Sequence, residues 1–124
     1  MIRITDDELR KTAREVLADL PEEFRSRLEN VSIVIGSRPT PRDLEKVGVR
    51  GRATLLGLYR GVPRTVRGEN YSLAPPDEIV LFGVPIRSIA RSRGDVRDLV
   101  RKVLLHELGH YFGIGDAELR RLGY

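Results

Sequence analysis

Cysteine and tryptophan are absent from these 124 residues, and the single methionine is Met1. Without cysteine there is no disulfide framework and no thiolate metal site, which excludes structural zinc of the Cys type. Histidine is nearly absent too: His106 and His110 are its two copies. Lysine occurs at 11, 46 and 102 alone, so arginine supplies nearly all of the 22 positive charges. Long apolar runs are missing, and none approaches the roughly 20 residues needed to span a bilayer. The N-terminus is charged from Arg3 onward and lacks the apolar core of a signal peptide. The expected location is therefore the cytoplasm, with no membrane partner.

What is present fits one domain, residues 1–124. A composition 40% hydrophobic and 32% charged is that of a globular chain, not a disordered one. The net charge of +4 suits nucleic acid or acidic peptides. The acids are well interspersed, however, as on an ordinary solvated surface, and nucleic acid is not the expected partner.

The chain reads as helices, then strands, then helices. TDDELRKTAREVLADL (5–20) is an amphipathic helix, with Thr5 and Glu8 in capping-box register and Leu9, Ala13, Val16, Leu17 and Leu20 on one face. Pro21 ends it and opens a short second helix with Phe24 and Leu28 inward. VSIVIG (31–36), ATLLGLYRG (53–61, weakened at Gly57) and EIVLFG (78–83) are strands. Residues 39–51 read as a loop with one helical turn, and 62–77 as a long loop. Pro85 opens a helix that Gly94 closes, Asp95 caps the long helix 95–112, and DAELRRL follows. This order predicts an α+β fold, a small mixed sheet packed on helices.

HELGHYFGIGD (106–116) carries the chemistry. On a helix, Leu99, Val103, His106 and His110 fall along one stripe, where the leucine and valine are expected to be buried. The two histidines are one turn apart, with Cβ atoms about 5–6 Å from each other. Two imidazole nitrogens at that spacing can reach one tetrahedral ion. Glu107 stands about 100° round the helix from His106, beside such an ion and not on it. A zinc ion with three protein ligands keeps a position for water and lowers its pKa to about 7. Glu107 is then placed to take that water's proton as general base. Gly113, three residues past His110, suits a left-handed helix stop, after which the Asp116 carboxylate can turn back as third ligand. Asp116 is equally suited to cap the helix that follows.

HELGHYFGIGD fits the HExxHxxGxxH/D signature of zincin peptidases of the metzincin kind, with Asp in the third place. With LLGLYRG and EIVLFGVPI, the chain resembles the small bacterial zincin-like metallopeptidase family over roughly residues 50–124. The resemblance implies a minimal zincin-like domain with its HExxH helix near the C-terminus. It implies Zn2+ as cofactor, His106, His110 and Asp116 as ligands, and Glu107 as base. The chain carries no Met after position 1 and so lacks the Met-turn of true metzincins. The reading is a zinc-dependent peptidase that hydrolyses peptide bonds with a metal-activated water, acting on a peptide or protein substrate.

Several alternatives stand beside it. LLGLYRG is a sheet edge able to pair with an extended peptide, or an ordinary buried strand. Tyr59, Tyr71 and Tyr111 are each candidates to steady a developing oxyanion. A metal serving stability alone, in a binding protein without catalysis, fits the same residues. A metal-dependent endoribonuclease suits the basic charge, but Glu107 and the two-histidine count argue against it. A helix-turn-helix nucleic-acid binder has the right outline across 95–124, with a very short second helix.

Overall fold

Thr5 and Glu8 start the fold. The Thr5 hydroxyl accepts from the Glu8 backbone N–H at 3.0 Å, and the Glu8 carboxylate accepts from the Thr5 N–H at 3.1 Å. This reciprocal pair satisfies two backbone donors that a helix start leaves open. It opens α1 (Asp6–Ala18), which buries Leu9, Ala13 and Val16, with Leu20 just beyond. The computed structural model describes residues 1–26, 28, 31–47, 55–61, 77–111, 113 and 116–121; the side chains of His110, Tyr111 and Asp116, among others, lie outside that description.

After α1 come α2 (Glu22–Arg25), β1 (Val31–Gly36), α3 (Pro41–Val47), β2 (Gly57–Arg60) and β3 (Asp77–Phe82). Three helices follow: α4 (Gly83–Ile89), α5 (Arg93–Tyr111) and α6 (Asp116–Arg121). The three strands form one sheet in the order β1-β3-β2. β1 runs parallel to β3, with Ile33 opposite Ile79, and β2 runs antiparallel to β3, with Gly57 opposite Leu81. The expected α+β fold with a small mixed sheet is therefore what the chain adopts.

Strand alternation divides the core in two. Ile79 and Leu81 face α1 and α5 and join the main cluster with Leu9, Phe24, Ile86, Val96, Val100, Leu104 and Leu108. Val80 and Phe82 face the other way and pack with Leu55, Leu58 and Leu44 of α3. Among the described residues, the sheet thus carries a thick helical layer on one face and a thin cover on the other.

The structure corrects several element boundaries. The segment 39–51 holds two turns of helix, Pro41–Val47, not one, because Thr40 and Asp43 cap each other's backbone N–H at 3.1 and 2.8 Å. α4 begins at Gly83, two residues before Pro85, so the proline sits inside the first turn, where no N–H is required of it. Gly94 does not close that helix; it lies in the first turn of α5. The cap there is Ser92, whose hydroxyl accepts from the Asp95 N–H at 3.1 Å, while Asp95 accepts from the Arg91 N–H at 2.9 Å. The described part of the second strand starts at Gly57; residues 53 and 54 fall outside the described residues. The expected loop 62–77 also lies outside them, apart from Asp77, which begins β3.

Candidate metal site on the C-terminal helix

α5 is held by one stripe. Val96, Val100, Leu104 and Leu108 recur every four residues and are fully buried, with Leu105 nearly so. The stripe bearing the histidines is its neighbour, not the core stripe itself. Leu99 and Val103 are half-buried and pack on the edge of the main cluster, and His106 is exposed. This corrects the expectation that the histidine stripe is the buried one. The reason is rotational: the core takes positions 96, 100, 104 and 108, which leaves 99, 103 and 106 at the rim.

Rim placement suits a reactive site. An imidazole at the core would be consumed by backbone partners, whereas an exposed one is reachable from solvent. Glu107 is half-buried, between the core stripe and the histidine stripe.

His106 and His110 both lie within the continuous helix Arg93–Tyr111, four residues apart. The helix then stops at Gly113, whose φ of 75° is left-handed and is the one positive φ among the described residues. Glycine holds that conformation without the Cβ strain other residues meet. α6 starts three residues later, with Asp116 as its first residue. The backbone thus has the form expected of the motif: two histidines on one helix, a turn at Gly113, and Asp116 at the start of the next helix. The side chains of His110 and Asp116 lie outside the described residues, and among the described ones no cluster of three or more His, Asp or Glu is assembled to hold a metal.

The edge strand reaches this helix. A Cβ on Gly57 would meet Val103 Cγ1 at 2.7 Å and the Val80 carbonyl oxygen at 2.9 Å. The β2 backbone therefore packs directly on the Val103 side chain of α5, one turn before His106. Sequence reasoning marked Gly57 as a weakness in a strand; its role in close packing shows only when the helix is laid on the sheet. Of the three tyrosines considered for an oxyanion, Tyr59 donates its hydroxyl to Asp77 Oδ2 at 2.8 Å and packs against the main core. Tyr71 lies outside the described residues, as does the side chain of Tyr111.

The structure is thus an α+β domain with two histidines four residues apart on its long C-terminal helix. The family model of the zincin-like metallopeptidases matches residues 28–124, and the chain belongs to that family. Membership implies a hydrolase with zinc as cofactor. Among solved structures, the chain is similar to a conserved hypothetical protein from Thermus thermophilus, with 24% identity over 88% of this chain and 94% of that one and a TM-score of 0.57. That likeness is one of fold. No curated protein matches the chain. Among the described residues, no helix is long and apolar enough to cross a membrane.

Proposed function

We propose that this protein is a zinc-dependent peptidase, with His106, His110 and Asp116 as metal ligands and Glu107 as general base. One observation carries the reading: two histidines one turn apart on α5, followed by the left-handed turn at Gly113 that leads into Asp116. The donor set fits the ion, since two imidazoles and a carboxylate are ligands zinc takes in catalytic sites. When bound, zinc supplies a Lewis acid that polarises a carbonyl and acidifies water.

The protein's own groups do the rest. The Glu107 carboxylate, half-buried beside the histidine stripe, accepts a proton from the attacking water and returns it to the leaving nitrogen. No side chain bonds covalently to the substrate. An extended peptide is the substrate that suits the edge strand. By antiparallel alternation, the Phe82 N–H bond to the Leu56 carbonyl turns Leu58 and Arg60 toward β3. Gly57 and Tyr59 then present their backbone N–H and C=O outward, where a peptide can pair with them.

The test is elemental analysis beside hydrolysis of a quenched-fluorescent peptide library. Wild type purified without added metal should hold one zinc per chain, and His110→Ala and Asp116→Ala should lose it. Glu107→Gln should keep zinc and lose hydrolysis by a factor of about 100 or more. Activity that survives Glu107→Gln removes the base, and zinc that survives Asp116→Ala removes the third ligand.

A further inference from the structure

Gly57 faces the helical layer from β2, the outermost strand of the sheet among the described residues, opposite Leu81. Three atoms close round the place where a side chain would begin. Val103 Cγ1 would lie at 2.7 Å, the Val80 carbonyl oxygen at 2.9 Å and Leu81 Cδ2 at 3.1 Å from a Cβ there. Carbon atoms in good contact stand about 3.5–4.0 Å apart, so one methyl group forces a separation of roughly 1 Å. The Val80 oxygen belongs to the β3 backbone and cannot rotate away. Gly57 is buried, so the methyl has no open side to occupy.

The helical partner in this contact is Val103, three residues before His106 and four before Glu107. All three crowding atoms belong to the two elements β2 packs against: Val103 Cγ1 to α5, and the Val80 oxygen and Leu81 Cδ2 to β3. The spacing between the strand's outer edge and the histidine stripe is thus set at this contact, not by long side chains that can adjust.

We propose that Gly57 is a positioning residue: it lets the β2 backbone sit directly on the Val103 side chain of α5, so that a peptide paired to the strand's outer edge lies within reach of the His106–Glu107 face. This deepens, and rests on, the peptidase reading above. Gly57 touches no reacting atom; it acts through the placement of β2. Its loss should therefore weaken peptide binding and leave the metal and the proton transfer alone.

Gly57→Ala, Val103→Phe and the pair Gly57→Ala with Val103→Ala test it on the zinc-loaded protein. Val103→Phe crowds the same contact from the helix and leaves the β2–β3 ladder untouched. With the quenched-fluorescent peptide library, both single variants should raise KM about tenfold, with kcat within about twofold. Zinc should remain at one per chain. The double variant removes the Val103 methyls but not the Val80 oxygen, so it should recover at least half of the KM change on a logarithmic scale. A folded Gly57→Ala protein with unchanged KM overturns the proposal, as does a fall in kcat alone. Amide hydrogen exchange at Leu58 and Arg60 reads the strand without any turnover. Exchange should quicken in Gly57→Ala and slow again in the double variant, and unchanged exchange overturns the spacer role even where no peptide is cleaved. Wild type that binds zinc and cleaves nothing, with exchange behaving as stated, sinks the peptidase reading and keeps the spacer.

Discussion

Asp43 on α3 and Arg60 on β2 are joined by an ion pair of 2.9 Å, the one link of this kind between the thin cover and the edge strand among the described residues. Asp43 is buried, with 9% of its side chain exposed. Its other oxygen accepts from the Thr40 N–H at 2.8 Å. The same carboxylate thus starts a helix and fastens it to the sheet.

That arrangement makes a prediction for acid. The Thr40 backbone N–H first, then the Thr40 hydroxyl and the Arg60 guanidinium, hold the Asp43 carboxyl below its ordinary value of 3.8, against burial, which raises it. A lowered folded value means the stabilisation is full above the unfolded value and is lost as pH falls through the folded one. Asp43→Asn should cost about 1–3 kcal/mol at neutral pH. The gap to wild type should close on acidification below pH about 4, because the native carboxyl then becomes neutral as well. Urea unfolding at several pH values checks this, and a gap that stays constant into acid would show that the charge is not what matters.

Gly113 offers a second test. With φ at 75° and nothing within 4 Å of a Cβ placed there, alanine meets backbone strain and no clash. Gly113→Ala should lower stability by about 1–2 kcal/mol, and Gly113→Asn by less, since asparagine tolerates the left-handed region. Because the turn sets where Asp116 begins α6, zinc affinity should fall in the same order. Calorimetric titration with zinc reads it; wild-type affinity in Gly113→Ala would detach the turn from the metal.

The helix bearing the site depends on its neighbouring stripe. Leu104 is fully buried, and Leu104→Ala should cost about 2–5 kcal/mol. Lys102, exposed two residues earlier, should change stability by no more than about 0.5 kcal/mol when replaced by alanine. Thermal unfolding of the two variants side by side decides whether the core stripe is the one that runs through Leu104.

Local signals were legible wherever one side chain answers one backbone need. The Thr5–Glu8 capping box, the end of α5 before Gly113 and the start of α6 at Asp116 all follow from neighbours within a few residues. The first and third strands were legible to within a residue, because β-branched runs bounded by turn residues have few other solutions, while the second is shorter than its expected 53–61. Boundaries went astray where two signals competed. Asp95 and Ser92 both suit a helix start, and only the pattern of hydrogen bonds shows that the serine caps and the aspartate supports it. Thr40 and Asp43 form the same kind of box, but Pro39, Pro41 and Gly48 around them read as loop.

The spacing of His106, Glu107 and His110 was fixed by the sequence alone, because an α-helix places residues four apart on one side whatever surrounds it. Which side that is could not be read from the pattern, since leucines and valines occupy both the 96–108 stripe and the 99–103 stripe. Packing against the sheet chose between them, putting the first inward and leaving His106 at the surface. Nor could the chain's order announce that Gly57 meets Val103: contacts between segments some 46 residues apart exist only once helix and strand are stacked. Hydrogen-bond geometry along one helix is local and inherited from the covalent chain, while burial and close approach are properties of the assembled layers.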